Sequence, residues 1–193
     1  MRTKKLFGGM PVIYTDHLVL RAMEDYDFEA LYDLYSNDKI YEYRPGVARK
    51  TQESVNKLLE KYKEEYEKKE AVYFAVCMKD APDNVVAVGE IFAIDSRLEQ
   101  VDIGYSVRES CWGKGIATEV VAGLIKYLFE EIEVNRIRAH VMPENIPSHN
   151  VVVKNGFLKE GLIRQGALWN GKGIVDVNQY AILKQDYNKG ERK

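Results

Sequence analysis

The stretch that decides the fold is Gln100-Val-Asp-Ile-Gly-Tyr-Ser-Val107, followed by Arg108-Glu-Ser-Cys-Trp-Gly-Lys-Gly115 and then by Ile116-Ala-Thr-Glu119. Residues 100–107 read as a strand, and apolar residues recur at helical spacing from Ile116 onward. The glycines between them let the backbone approach a ligand, and the first N–H groups of a helix lack partners inside it. The segment therefore predicts a phosphate-bearing ligand at residues 113–118. Spacing alone leaves open a plain strand-to-helix turn that uses glycine only for its geometry.

The same residues can be compared with two other nucleotide-binding motifs, the Walker A loop and the dinucleotide-binding loop. A Walker A loop needs a glycine five residues before its Gly-Lys pair and a Ser or Thr after the lysine, and Lys114 is followed by Gly115. A dinucleotide loop needs a third small residue where Thr118 stands, after a strand of a βαβ unit. Both patterns fail here, although a nucleotide-binding module of different chemistry stays open as an alternative.

The flanking sequence alternates between helical and strand periodicity, which predicts an α+β fold with a mixed sheet. Helices are expected around 28–35, from Thr51 to Tyr66, from Ile116 to Phe129 and over 148–154. Strands are expected over 11–22, 71–78, 85–94, 100–107, 136–142, about 161–168 and about 175–183. The strands in the middle form an antiparallel meander, with a turn at 80–84, and residues 170–173 form a hairpin turn between the last two strands.

Composition limits the class of protein. The 193 residues suit one domain, with residues 1–10 expected to be a flexible or arm-like start and 188–193 a flexible tail. A net charge of -2 predicts no nucleic-acid partner, and no apolar run reaches the roughly 20 residues of a membrane span. Cys77 and Cys111 have neither disulfide-scaffold nor metal-ligand spacing, so we expect a reduced, cytoplasmic protein without a metal.

The order of several short motifs resembles the GNAT superfamily of acyl-CoA N-acyltransferases. Residues 113–119, Gly-Lys-Gly-Ile-Ala-Thr-Glu, are similar to its pyrophosphate loop, and Asn145-Ile-Pro-Ser148 with Lys154-Asn-Gly-Phe157 resembles its N-x-x-S…K-x-G-F element. Thr15–Arg21 looks like the opening T-x-x-L-x-L-R strand of the branch that includes the Rim-type acetyltransferases of ribosomal-protein N-termini. Glu160-Gly161, Arg164 and 176–180 fit the tail of that branch.

The resemblance implies a GNAT-like, mostly antiparallel sheet flanked by helices, with acetyl-CoA as co-substrate in a splayed strand pair. We expect the splay between strands 85–94 and 100–107. Trp112 is expected to shield the phosphates or pack the loop. The predicted acetyl-CoA contacts are Tyr105, Ser106, Val107, Trp112, Gly113, Lys114, Gly115, Ile116, Ala117, Thr118, Asn145 and Ser148.

The resemblance also suggests how protons move. Ser148 is a candidate acid for the leaving thiolate, with a helix N-cap as its alternative, and Glu90 is the candidate base. Val152 stands where many relatives carry a tyrosine acid, and Ala167 stands where Rim-type enzymes can carry a glutamate base. His140 is more typical of a packed strand residue, and Asp102 of the meander surface. Cys111 is a lesser candidate, as a covalent acyl relay. His149 is expected at the surface of its helix. The acceptor pocket is a further expectation, with Tyr41, Tyr43, Trp169, Glu24 or Asp25 as its possible lining.

The expected function is direct acetyl transfer to a primary amine. The preferred acceptor is the N-terminus of a ribosomal protein, and a polyamine, an amino acid or an antibiotic remains open because the acceptor half of such folds varies. The missing acid and base at Val152 and Ala167 support a second class, a CoA-binding sensor without turnover. The assembly is expected to be a monomer or a homodimer.

Overall fold

One mixed sheet of eight strands organises the computed structural model, which describes residues 1–169 and 171–190, with the backbone alone at 188–190. The spatial order is β1-β2-β3-β4-β5-β6-β8-β7. All neighbours are antiparallel except β5 and β6, which are parallel. The strands are β1 Ile13–Tyr14, β2 Leu18–Arg21, β3 Val72–Met78, β4 Ala81–Asp95, β5 Gln100–Val107, β6 Arg136–Val141, β7 Leu158–Trp169 and β8 Gly173–Leu183. The predicted mixed, mostly antiparallel sheet is confirmed.

Helices cover both faces of the sheet because each central strand is apolar on both sides. In β3, Val72, Phe74 and Val76 join the core under α4, whereas Ala75 and Cys77 join the core under α2 and α3. Each buried aliphatic side chain contributes roughly 1.5–3 kcal/mol to this packing. The helices are α1 Thr3–Leu6, α2 Phe28–Ser36, α3 Gln52–Glu67, α4 Ile116–Glu130, α5 Ile146–Lys154 and α6 Lys184–Gly190. Within the described ranges, no helix combines the length and the apolar character that a bilayer crossing requires.

The sheet opens between β5 and β6. These strands pair only from Gln100–Asp102 to Arg136–Arg138 and then separate. The prediction of a splay between 85–94 and 100–107 is therefore wrong, since β4 and β5 stay paired from Ala87↔Val107 to Phe92↔Asp102. The cause is the chain path: β4 and β5 are a hairpin, whereas α4 carries the chain from β5 to β6.

Several element boundaries differ from those predicted. The expected turn at 80–84 is shorter, since β4 already begins at Ala81 and a bulge opposite Val76–Met78 absorbs the extra residues. At the start of the chain, Leu6 is fully buried in the main core, so residues 1–10 pack rather than form an arm. Residues 188–190 continue α6, and the remainder of the expected tail, 191–193, lies outside the described residues, as does Asn170 in the hairpin turn.

Candidate functional site

The first turn of α4 carries an open cradle of backbone amides. Gly113 and Gly115 have φ values of 74° and 81°, in the left-handed region that glycine tolerates best. Gly115 is the N-cap residue, and a Cβ placed on either glycine would meet nothing within 4 Å. The N–H groups of Ile116, Ala117 and Thr118 have no partner inside the helix because they precede its first hydrogen bond. The loop can therefore bind an anion through its backbone.

Side chains from two other motifs hold this turn in place. Glu119 Oε1 accepts hydrogen bonds of 2.6 Å from both Thr15 Oγ1 and His17 N. Asn155 Nδ2 donates to Thr118 O at 3.2 Å. Burial alone would raise the pKa of Glu119, but the hydrogen bonds from Thr15 and His17 outweigh it and hold that pKa below 4.5. The opening strand motif and the Lys-Asn-Gly-Phe motif thus support the glycine loop directly.

A cavity of about 930 Å³ fills the gap between β5 and β6 and reaches the glycine loop. It brings together Glu90, Tyr105, Ser106, Val107, Trp112, Gly113, Gly115, Ile116, Ala117, Thr118, Asn145 and Ser148, all of them predicted site residues. Lys114, the remaining one, does not line it. The side chain of Ser106 points to the opposite face from that of Tyr105, and its Oγ accepts from Arg44 Nε at 3.0 Å.

Tyr105 and Ser148 form a hydroxyl pair across the gap, with 2.9 Å between Tyr105 Oη and Ser148 Oγ. Burial raises the pKa of the Tyr105 phenol above its usual 10, although the bond to Ser148 lowers it in part. The N-cap of α5 is Asn145, whose Oδ1 accepts from Ser148 N at 3.1 Å. The alternative of Ser148 as N-cap is therefore wrong, and the Ser148 hydroxyl is available to the cavity.

Glu90 is ion-paired with an arginine that sequence reasoning missed. Arg44 Nη2 lies 2.7 Å from Glu90 Oε1 and also donates to Tyr62 Oη at 3.2 Å. Both side chains of the pair are mostly buried, with 21% and 13% of their surfaces exposed. Arg44-Pro45-Gly46 has the composition of a break, so no pattern in the sequence indicates that its arginine enters the site.

Asp102 is buried, which corrects its expected place on the meander surface. Its side chain is 5% exposed, Arg138 Nε donates to its Oδ1 at 2.7 Å, and His140 Nδ1 lies 3.3 Å from its Oδ2. His140 lines the cavity. An alternation of polar residues on β5 and β6 was the available signal, but it is also typical of a solvent-facing strand.

The other candidates divide between the cavity and the scaffold. Tyr43, Ala167 and Trp169 line the cavity, whereas Tyr41, Glu24 and Asp25 are not among its lining residues. His149 Nδ1 contacts the buried Tyr180 hydroxyl at 2.6 Å, so it is a packing residue of α5 rather than a surface one.

The fold and this geometry can be compared with known proteins. Residues 17–158 match the profile of the acetyltransferase (GNAT) domain. The chain belongs to the GNAT acetyltransferases. An uncharacterized N-acetyltransferase from Bacillus licheniformis is 31% identical over 179 residues, covering 92% of this chain and 99% of that protein. Another from Bacillus subtilis is 29% identical over 174 residues, covering 90% and 97%.

Solved structures share the fold of this acetyltransferase. A GNAT-family acetyltransferase from Bacillus anthracis has a TM-score of 0.79 at 26% identity, covering 91% of this chain and 99% of that one. RimJ from Mycobacterium smegmatis, in complex with CoA-disulfide, has a TM-score of 0.79 at 22% identity, with 95% and 94% covered. Spermidine N-acetyltransferase from Vibrio cholerae, in complex with CoA and spermine, has a TM-score of 0.76 at 23% identity, covering 89% of this chain and 98% of that one.

Two neighbours of the acetyltransferase loop have structural roles. Trp112 is 46% exposed and its Nε1 donates to Val107 O at 2.7 Å, which fixes the loop to the end of β5. Val152 is 1% exposed and packs in the main core, and although it also lines the cavity, its isopropyl group carries no exchangeable proton. Tyr105 and Ser148, which line the cavity as well, do carry hydroxyl groups.

Proposed function

We propose that this acetyltransferase uses acetyl-CoA to acetylate the N-terminal α-amine of a polypeptide, with a ribosomal protein as the first candidate. The observation that carries the proposal is Trp169. Its indole is 5% exposed, lines the cavity, and its Nε1–H has no hydrogen-bond partner among the described residues. A buried donor without a partner is costly, and a peptide carbonyl of the acceptor would satisfy it. A protonated polyamine offers only donors.

The charge of the cavity points the same way. The acidic side chains among its described lining residues are Glu42 and Glu90, and Glu90 is paired with Arg44. Lys39, Arg44 and Lys154 also line it, so the cavity carries no excess of negative charge. A polyamine with several ammonium groups needs such an excess, whereas a peptide N-terminus brings a single one.

The residues present fit acetyl-CoA. The amides of 116–118 would hold its pyrophosphate, and the edge of β5 at Tyr105–Val107, which β6 leaves unpaired, would hold its pantetheine arm. Acetyl-CoA supplies the acetyl group as an activated thioester. Ser148 Oγ holds a proton for the departing sulfur, and Tyr105 Oη, 2.9 Å away, can replace it. Glu90 Oε2 is left to accept from the acceptor ammonium, because Oε1 binds Arg44.

Two of the structural neighbours have different names. One is RimJ, and the other is a spermidine N-acetyltransferase. Both share the fold, but their sequence identities to this chain are too low to assign it their substrates. The acceptor therefore has to be measured.

The test is thiol release from acetyl-CoA in the presence of ribosomal-protein N-terminal peptides, spermidine, an aminoglycoside or free amino acids. We expect release with peptides bearing a free α-amine and none with the same peptides after N-terminal blocking. Release with spermidine but with no peptide would refute the proposal. Acetyl-CoA binding without release from any acceptor would favour the sensor function.

Trp169→Phe is the matched variant for the acceptor end. It keeps the aromatic wall and removes the donor, so the KM for a peptide should rise roughly five- to tenfold, the worth of one hydrogen bond. Binding of CoA, measured by calorimetry, should not change. Ser148→Ala should instead lower kcat and leave both the peptide KM and CoA binding in place.

A further inference from the structure

His140 and Glu90 lie on the same face of the sheet. Glu90 pairs with Gly104 across β4 and β5, so the two share a face, and Asp102 lies two residues before Gly104 on that face. Asp102 pairs with Arg138 on β6, and His140 follows two residues later. Strand alternation therefore places His140 and Glu90 on one side of the gap, each at the cavity wall.

Asp102 fixes how His140 presents its ring. Nδ1 lies 3.3 Å from Asp102 Oδ2, while Nε2 makes no hydrogen bond or ion pair with another group of the described residues. The side chain is 29% exposed and lines the cavity. An imidazole with Nδ1 directed to a carboxylate and a free Nε2 is arranged to accept a proton.

We propose that His140 Nε2 accepts the proton of the acceptor ammonium, with Asp102 as its positioning residue. The inference rests on the proposed acetyl transfer to an amine. Glu90 is less suited to this step because one oxygen of its carboxylate is committed to Arg44. Glu90 then serves as a binding contact, and the base role predicted for it from the sequence passes to His140.

The proton balance is simple. An N–H bond of the ammonium breaks and an N–H bond forms at Nε2, which leaves a neutral amine with a free electron pair for attack on the thioester carbonyl. The second proton lost by the nitrogen leaves with the thiol. The proton on His140 passes to solvent, so each turnover releases one proton.

The charged surroundings of His140 are few. Asp102 faces it from β5, and Arg138 on its own strand already binds the other oxygen of Asp102. On β8 its paired neighbour is Gln179, whose Nε2 donates to Glu160 Oε2 at 2.8 Å on β7. Glu160 is in turn held by Arg136. Among the described residues, Asp102 is the one charged partner that contacts the imidazole directly.

The test compares two acceptors that differ only in basicity. One is a peptide with a free α-amine, which is an ammonium near neutral pH, and the other is the same peptide with an aminooxy terminus, which is already neutral. His140→Gln should lower kcat/KM for the α-amine about a hundredfold or more and for the aminooxy peptide less than about threefold, since only the first needs a base. His140→Asn, which keeps a donor near Asp102, should behave alike. Glu90→Gln should lower kcat/KM by the same factor for both acceptors.

If His140→Gln lowered kcat/KM equally for both acceptors, or for neither, the inference would be overturned. Turnover by the wild-type protein would still support the proposed function. A wild-type protein inactive with every amine would overturn both. CoA binding by calorimetry shows that each variant is folded.

A second readout is independent of activity. The chain has three histidines, so His140→Gln identifies the His140 signal in a nitrogen NMR spectrum by its loss. We expect the neutral ring to carry its proton on Nδ1, and Asp102→Asn to shift the proton toward Nε2. A wild-type proton on Nε2 would contradict the inference.

Discussion

Arg44 joins the segment before α3 to the sheet through Ser106 Oγ and Glu90 Oε1, and to α3 itself through Tyr62 Oη. Its guanidinium also lies 5.5 Å from the centre of the Tyr35 ring. Removing it would leave the mostly buried Glu90 carboxylate without its cation, and an uncompensated buried charge is strongly destabilising.

Arg44→Met should therefore lower the free energy of unfolding by about 2 kcal/mol, since the pair is mostly but not fully buried. Arg108→Met is the matched control: its side chain is 22% exposed, like that of Arg44, but its partner Asp33 is 63% exposed. That loss should stay below about 1 kcal/mol. Urea unfolding measures both, and equal losses would show that Glu90 does not need its arginine.

The residues of the site differ in how far the sequence could predict them. The glycine loop and Ser148 lie in local motifs whose spacing is the signal, and they come together as predicted apart from Lys114. Arg44 reaches Glu90 through a long loop, and His140 reaches Asp102 through strand pairing. Nothing in their spacing distinguishes a buried network from a solvated strand face.

At the scale of elements, α4 is placed by the conformation of a single glycine. Gly115→Ala puts a Cβ on a residue at φ 81°, which costs about 1 kcal/mol of stability and shifts the first amides of α4. Gly171→Ala is the matched control at φ 83°, in the distant β7–β8 turn. We expect similar stability losses in the two variants but weaker CoA binding only in Gly115→Ala, as calorimetry would measure. Weaker binding in both would show a general effect of unfolding.

The attachment of α4 to the turn between β1 and β2 depends on pH through Glu119. Because its folded pKa lies below the ordinary 4.5, the ionised carboxylate stabilises the fold above that value, and this contribution is lost as the pH falls through the folded pKa. The difference in unfolding free energy between wild type and Glu119→Gln should be constant near neutral pH and shrink below pH 4.5. A difference that grew on acidification would contradict the bonding described for Thr15 and His17.

At the scale of the whole molecule, CoA is expected to join two parts of the sheet, β1–β5 and β6–β8–β7. At a hundredfold excess over its dissociation constant it should stabilise the fold by about 2.7 kcal/mol, or roughly 5–10 °C in melting temperature. Pantetheine, which lacks the pyrophosphate, should raise the melting temperature less at equal concentration. Equal increases in melting temperature with CoA and with pantetheine would show that the α4 amides do not bind the pyrophosphate.

The overall architecture was largely predictable because periodicity marks each strand and helix separately. The position of the splay was not, because which two neighbouring strands separate depends on the connection between them. Alternation of polar and apolar residues is the same in the closed hairpin of β4 and β5 as in the open pair of β5 and β6, so it does not show which pair separates.

The opening between β5 and β6 also makes this a molecule that can be divided. Three residue pairs join the two parts of the sheet, and Glu133, at φ 58° and partly exposed, lies on the connection between α4 and β6. Val152, Phe157 and Ile182 of the second part share one core with α4. Fragments 1–133 and 134–193, made as separate chains, should reassemble through that core, and CoA should promote their reassembly, so that a split reporter attached to them would record the concentration of the coenzyme.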